Sequence, residues 1–254
     1  MNWLAVLVSV AVSSATPGER GFSLAQDLAK HNAGYRDLGG QVEMVLTDAS
    51  GSEARRSFSL KVLEKPTAAD GDKSLIVFEA PADVKGTAVL SHANPDGEDE
   101  QWLFLPSARR TKRISAANRT GAFAGSEFSF EDLTGNDARK HSWKWVGEEK
   151  CGEATCVTIE ATPKDGASAY SKRLLHIDPK ALRIVSIEFF DRRGEKLKTL
   201  TYDDYQRLNE RFWRSQRWSM KNVQTGKGTT IRFVSMKLET GLTVADFAPG
   251  KLGN

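Results

Sequence analysis

The sequence contains few of the residues that usually build catalytic and metal sites. It has two cysteines and four histidines in 254 residues, and the histidines are scattered without the spacing of metal ligands. A Gly-x-Ser-x-Gly elbow, a His-Glu-x-x-His pair and a phosphate-binding loop are all missing. These gaps argue against α/β-hydrolase, zinc hydrolase and nucleotide chemistry, so we expect neither a metal nor a cofactor. A two-carboxylate glycosidase stays open as an alternative, because carboxylates are plentiful.

Long apolar runs are missing as well. The apolar stretch at residues 3–12 is too short to cross ~30 Å of hydrocarbon, and the small residues Ser13, Ser14 and Ala15 follow it. This order is typical of a secretory signal peptide, although the usual basic segment is absent. It predicts a signal peptide at residues 1–15, cleavage after Ala15 and a single domain over residues 16–254. The formal net charge of +3 is too small to indicate a nucleic-acid partner.

The two cysteines lie close together in the chain. In an oxidising compartment, Cys151 and Cys156 should pair. Residues 143–146 and 157–160 have the pattern of strands, so the predicted disulfide closes the tip of a hairpin. Two free thiols are the alternative, and a zinc site would lack ligands because two thiolates leave the metal short of four.

Most of the remaining chain alternates between apolar and polar residues. A helix is predicted over residues 22–36, capped by Ser23, and short helical pieces are predicted near residues 130–133 and 244–247. After Gly39 and Gly40 the period changes to two, and short turn-forming segments separate the strands. This pattern predicts a large antiparallel sheet that must curl or close to protect its edges. The candidate strands lie around residues 42–46, 58–62, 74–79, 87–91, 101–105, 111–114, 142–146, 155–161, 170–177, 183–190, 197–205, 212–221 and 229–238.

The predicted strands carry an unusual number of large aromatic side chains. Each of these residues alone is best interpreted as ordinary core. Taken as a set, they can line an apolar ligand cavity inside a curved sheet. Alternation along a strand predicts that neighbours two residues apart share a face. The predicted cavity wall comprises Trp102, Phe104, Phe128, Phe130, Trp213, Trp218 and Phe233.

One stretch of the chain is strongly basic. Arg109, Arg110, Lys112 and Arg113 lie within five residues, and no acidic residue occurs between Gln101 and Ser126. A solvated strand is one interpretation, since runs of charge usually face water. The alternative is a docking patch for anionic lipid headgroups or for an acidic partner protein.

Three long stretches of the sequence are distinctive: residues 78–90 (FEAPADVKGTAVL), 102–115 (WLFLPSARRTKRIS) and 123–133 (FAGSEFSFEDL). They resemble the outer-membrane lipoprotein-sorting protein family, the LolA-like group of periplasmic proteins. Shorter matches follow in order at residues 202–205, 213, 220–222, 229–230 and 247. The resemblance covers nearly all of the predicted mature chain.

The resemblance implies a mainly β fold, an incomplete, strongly curved antiparallel β-barrel closed by a few short helices. It also implies an apolar cavity that shelters acyl chains, and hence a periplasmic carrier of lipid or acylated lipoprotein with transient membrane contact and no enzymatic activity. Members of this branch often accompany inner-membrane exporters of the resistance-nodulation-division type. A non-carrier accessory protein of such an exporter is therefore the second hypothesis, and a lipid or glycan hydrolase is the third.

Overall fold

The computed structural model describes residues 15–67, 70–134, 137–152 and 154–253. The predicted signal peptide lies outside these residues except for Ala15. Within the described ranges, no helix is long and apolar enough to span a membrane.

One α-helix, α1 (Pro17–Asn32), opens the described chain. It begins five residues earlier than predicted, because Thr16 and not Ser23 is its cap. The Thr16 hydroxyl accepts a hydrogen bond from the Glu19 backbone N–H, while the Glu19 side chain accepts one from the Thr16 backbone. This reciprocal pair and Pro17 in the first turn are strong helix starts. The predicted extension to residue 36 is also wrong, since the helix ends at Asn32.

Thirteen strands form one antiparallel sheet, in the order β6-β5-β4-β3-β2-β1-β13-β12-β11-β10-β9-β8-β7. Each strand lies beside the next one in the chain, except that β6 and β7 are far apart, and the pairing of β1 with β13 joins the two halves. The sheet does not close, so β6 and β7 are its edges. The strands are β1 (Asp37–Thr47), β2 (Glu53–Leu63), β3 (Lys73–Ala80), β4 (Ala88–His92), β5 (Glu100–Leu105), β6 (Arg110–Arg113), β7 (His141–Cys151), β8 (Ala154–Pro163), β9 (Tyr170–Asp178), β10 (Arg183–Asp191), β11 (Lys196–Leu208), β12 (Phe212–Asn222) and β13 (Gly228–Leu238).

Apolar side chains meet on one face of this sheet, which we call the inner face. Val42 pairs with Phe58 on one side and with Phe233 on the other, and Phe58 pairs with Phe78. All four are buried in the main core. Phe58 of β2 and Phe189 of β10 line one cavity, although four strands separate β2 from β10 in the sheet. The sheet is therefore curved around its inner face, and the prediction of an incomplete barrel is confirmed.

The chain between the two edges crosses the inner face. Residues 114–134, which we call the crossing segment, leave β6 and lead towards β7 at the opposite edge. The segment inserts Phe123 and Phe128, both almost fully buried, into the core. The Phe123 ring lies 5.5 Å from that of Phe78 on β3. The short 3₁₀ turns are Pro106–Ala108, Ala116–Asn118, Phe123–Gly125, Phe130–Leu133, Ala138–Lys140, Val244–Phe247 and Pro249–Lys251.

The expectation that Phe128 and Phe130 share a strand face is wrong. Ser129 between them caps a 3₁₀ turn, accepting a hydrogen bond from the Asp132 backbone N–H, and Phe130 is the first residue of that turn. The backbone therefore turns between the two rings. Phe130 packs edge-on against Phe123 at 5.9 Å.

Trp102 and Phe104 share a face, but it is the outer face and not the predicted cavity side. Trp102 pairs with Leu90 across the β4–β5 ladder, and both pack in a cluster with Phe247 of the C-terminal segment. Gly253 lies so close to the Phe104 ring that an added Cβ would approach it to 2.1 Å. The C-terminal residues cover this part of the outer face, which explains why aromatic side chains occur there.

The predicted disulfide is present. Cys151 and Cys156 are bonded, with a Cα–Cα distance of 5.7 Å. They lie at the turn between β7 and β8, so the bond closes a hairpin tip as the spacing predicted.

Candidate functional site

A cavity of about 280 Å³ lies between the inner face and the crossing segment. Of the seven predicted wall residues, Phe128, Trp218 and Phe233 line it. Many other residues of the cavity wall were not predicted. For those on strands, the alternation of side chains does not show which face of the sheet will be enclosed. The residues that were not predicted include Phe58, Leu60, Ile76, Phe123, Ile187, Phe189, Leu200, Tyr202 and Ile231.

A wider space of about 780 Å³, which we call the outer basin, adjoins the cavity. Four residues line both spaces, so the two are adjacent: Asp72, Ala93, Tyr202 and Trp218. The outer basin is bounded by the C-terminal half of α1, by the β11–β12 hairpin and by residues 137–140. Trp213, another of the predicted wall residues, lines this basin and not the cavity. The volume of the outer basin falls within the ~300–1,000 Å³ that is usual for small-molecule sites.

A buried ion pair holds the crossing segment against the sheet. Lys198 Nζ of β11 lies 2.7 Å from Asp132 Oδ2, and each side chain is 5% exposed. Lys198 Nζ also donates to the carbonyl oxygen of Glu127 at 2.8 Å, and the Tyr170 hydroxyl donates to Asp132 Oδ1 at 2.8 Å. Burial alone would raise the pKa of Asp132, but Lys198, Arg173 and its hydrogen bonds outweigh burial and lower that pKa. The carboxylate is therefore charged.

A second pair adjoins the first. Arg173 of β9 lies 3.3 Å from Glu131 and both side chains are largely buried. Glu131 also accepts a hydrogen bond from the Ala169 backbone N–H at 3.0 Å. Arg173 and Asp132 line the cavity itself, so an apolar wall and charged groups meet inside it.

Gln101 attaches the crossing segment at the other side of the sheet. Its side chain is fully buried on β5, and its amide nitrogen donates to the Ser91 hydroxyl at 3.1 Å and to the Phe130 carbonyl at 2.9 Å. Among the residues that the structure describes, its carbonyl oxygen finds no hydrogen-bond partner. Polar anchors on β5, β9 and β11 thus position the apolar rings of the crossing segment over the cavity.

Over the ranges that the structure describes, no group of three His, Cys, Asp or Glu residues is placed to hold a metal ion. The charged residues that line the cavity are Asp72, Lys73, Asp132 and Arg173. Lys73 pairs with Asp70, Asp132 with Lys198 and Arg173 with Glu131. Burial raises the pKa of Asp72.

The predicted docking patch lies at the free edge of the sheet. All of β6 is exposed, and it pairs with β5 alone. Arg113 pairs with Glu100. For the other three residues of the patch, Arg109, Arg110 and Lys112, the described part of the chain holds no carboxylate within 4.0 Å. A short, charged edge strand also protects a sheet against unwanted pairing.

Comparison with known proteins places this geometry in a family. A family model described as an uncharacterized protein matches residues 70–254. A Vibrio parahaemolyticus domain assigned to the outer membrane lipoprotein-sorting proteins is 37% identical, with a TM-score of 0.90 over 93% of this chain and 100% of that one. No curated protein sequence matches the chain.

Two further crystal structures share the fold. A DUF1329 family protein from Desulfovibrio piger is 25% identical, with a TM-score of 0.88 over 94% of this chain and 100% of that one. A LolA superfamily protein from Nitrosomonas europaea has a TM-score of 0.72 over 92% and 98% of the two chains at 19% identity, which shows the fold alone.

Proposed function

Because this chain belongs to the LolA-like family of outer membrane lipoprotein-sorting proteins, we propose that it is a periplasmic carrier of lipid or lipoprotein acyl chains. The observation that carries the proposal is the largely apolar cavity beneath the crossing segment, with the outer basin directly beside it. Apolar side chains form most of the cavity wall, with Asp132 and Arg173 among them, and the outer basin has a more polar and charged lining. An acyl chain enters the cavity in this account, while its headgroup or attached protein stays in the basin.

Physical reasoning gives such a carrier a simple task. Each CH₂ group that leaves water contributes about 0.8 kcal/mol, so an apolar enclosure alone can hold an acyl chain. Carriage needs no nucleophile, metal or cofactor, and the protein acts without catalysing a reaction. Export is part of the proposal: the signal-like residues 1–15 and the Cys151–Cys156 disulfide both fit an oxidising compartment.

Binding of a fluorescent fatty acid tests the proposal. Leu60 lines the cavity, so Leu60→Trp should fill it with an indole ring and lower probe affinity at least tenfold. The neighbouring Lys61 is exposed on the opposite face of β2, since successive side chains alternate. Lys61→Trp is therefore the matched control and should bind like the unmodified protein. Equal affinities for the two variants, or no saturable binding by the unmodified protein, would contradict the carrier role.

A second candidate function is docking on a protein partner, such as an inner-membrane exporter of the resistance-nodulation-division type. The observation that favours it is the exposed basic edge at β6. Reversing Arg110 and Lys112 to Glu should weaken capture of an acidic partner, most clearly at low salt, without changing the melting temperature, since exposed charges stabilise weakly. Unchanged capture would leave β6 with edge protection as its function.

A further inference from the structure

A basic hairpin forms part of the rim of the outer basin. Residues 205–214 comprise the end of β11, the turn and the start of β12, and we call them the rim hairpin. Its tip turns through Asn209 and Glu210, both with positive φ. Arg207 and Arg211 flank this turn and are exposed. Trp213 and Arg214 from the same hairpin line the basin.

The cations around this opening outnumber the carboxylates available to them. In the described ranges, no carboxylate lies within 4.0 Å of five of these cations: Lys30, Lys65, Arg207, Arg211 and Arg214. Three acidic residues line the basin, and other groups already engage them. Glu64 accepts from the backbone N–H groups of Gly34 and Arg36, Asp137 pairs with Arg139, and Asp72 accepts from the Lys65 backbone N–H. Glu210 at the exposed tip is the single opposing charge on the rim hairpin.

Aromatic rings are interleaved with these cations. The Trp213 ring lies 5.5 Å from the guanidinium carbon of Arg183 and 6.0 Å from that of Arg207. Tyr35 lies 4.9 Å from Arg214. Both rings are half-buried. Half-buried Trp and Tyr beside Arg are the side chains that suit the boundary between water and lipid, because each has an apolar body and a polar end.

We propose that this rim docks on a membrane surface that contains anionic phospholipid. The inference rests on the proposed carrier function, because it places the opening of the basin against the bilayer from which an acyl chain enters or to which it returns. The exposed cations Lys30, Lys65, Arg207 and Arg211 supply attraction to phosphate groups, at about 1 kcal/mol each near an anionic surface. Arg214 is held by hydrogen bonds to Asn32. The rings of Trp213, Tyr205 and Tyr35 contact the headgroup layer. The basic edge strand β6 is a separate surface in this account.

Vesicle binding tests the rim directly. The probe is vesicles of phosphatidylcholine with and without phosphatidylglycerol, and the measured quantity is the fraction of protein that sediments with them. Arg207→Gln/Arg211→Gln should lower affinity for the anionic vesicles about 30-fold, as loss of two surface cations requires. The matched control is Lys221→Gln/Lys227→Gln. It removes the same charge from exposed positions in the β12–β13 hairpin at the far end of β12, and its affinity should stay unchanged.

Two outcomes would overturn the inference. One is an equal loss of affinity in the rim and control variants, which would show a non-specific effect of net charge. The other is no binding of the unmodified protein to vesicles with phosphatidylglycerol. Fatty-acid binding without vesicles, measured on the same samples, distinguishes failure of the rim proposal from failure of the carrier proposal. A protein that binds the fatty acid but not the vesicles refutes the rim alone, and one that binds neither refutes the carrier proposal as well.

Discussion

At the scale of single residues, the inner face places a buried pair of opposite charges beside an apolar cavity. Asp132 and Lys198 are each 5% exposed. Removing one partner of such a pair leaves the other buried and uncompensated, which costs about 3–5 kcal/mol. Exposed pairs contribute far less, about 0–1 kcal/mol. The two kinds of pair therefore predict different responses to the same substitution.

We expect Asp132→Asn to lower the free energy of unfolding by about 3 kcal/mol or more, measured by urea denaturation. Glu195→Gln is the control, because Glu195 pairs with Arg193 on the surface with 62% and 72% of the side chains exposed; it should cost under about 1 kcal/mol. Replacing both buried partners, in Asp132→Leu/Lys198→Met, should restore part of the loss. A single variant as stable as the unmodified protein would refute the anchoring of the crossing segment by this pair.

His141 predicts a dependence of stability on pH. Burial, and next the positive charge of Arg173, lower its pKa to about 4 from an ordinary value near 6.5. The folded state thus holds His141 neutral, whereas the unfolded chain takes up a proton below pH 6.5. Stability should fall as pH drops from about 6.5 to 4, by about 1–2 kcal/mol at pH 5. Protonation of Asp132 also lowers stability as pH falls, since its pKa is lowered in the folded state. This loss begins at a lower pH than that of His141, because the ordinary Asp pKa is near 3.9.

Urea denaturation at pH 7 and pH 5 isolates the His141 effect. His141→Gln cannot take up a proton, so its free energy of unfolding should change less between the two pH values than that of the unmodified protein. The difference between the two proteins removes contributions from the other histidines. Equal pH dependence in both would show that His141 does not contribute.

Single residues also mark the limit of what the sequence predicts. Alternation correctly placed Trp102 and Phe104 on one face, but it cannot tell which face becomes enclosed. That depends on the C-terminal segment, whose Phe247 covers the outer side. Phe128 lines the cavity, although it lies in no strand. Its ring reaches the cavity because the crossing segment folds back over the sheet.

At the scale of elements, the contact between α1 and β7 depends on one glycine. An added Cβ on Gly21 would approach the backbone atoms of Lys144 and Trp145 to 2.8–2.9 Å. Backbone in a sheet cannot move aside without breaking its ladder. The C-terminal part of the same helix lines the outer basin through Ala29, Lys30 and Asn32.

Gly21→Ala should therefore destabilise the protein by about 1–3 kcal/mol, as overpacking does. Helix propensity acts in the opposite direction, since Ala is better than Gly in a helix interior by about 1 kcal/mol, and we expect the steric term to exceed it. Gly18→Ala is the control in the same helix, because its nearest atom outside the helix lies at 3.5 Å. Thermal denaturation measures both. A melting temperature of Gly21→Ala equal to or above that of the unmodified protein would contradict the close contact.

Strands were easier to predict than the helix and the turns. The periodicity gave residues 183–190 for β10 and 101–105 for β5, and the structure differs by one residue at one end of each. The start of the helix was predicted too late because the apolar spacing begins at Phe22, whereas the Thr16–Glu19 cap begins the helix at Pro17. Polar capping pairs act through the backbone and leave no apolar period. The 3₁₀ turns of the crossing segment similarly have no period of their own.

At the scale of the whole molecule, strand order follows from short connections, and curvature follows from the number of strands. Consecutive hairpins give neighbouring strands, and a sheet of thirteen strands must curl or close. The location of the cavity does not follow from these rules. It arises because β6 and β7 end at opposite edges, so the chain between them must pass over the inner face and enclose a space there.

Native mass spectrometry of protein purified from the periplasm without detergent tests the central claim most directly. A carrier should give two populations, the bare chain and the chain with one bound acyl species, which collisional activation releases as fatty acyl fragments. Leu60→Trp, purified in parallel, should lose the bound population, and Lys61→Trp should keep it. A folded, unmodified protein that appears only as the bare chain, with no acyl species recovered by solvent extraction, would contradict the account.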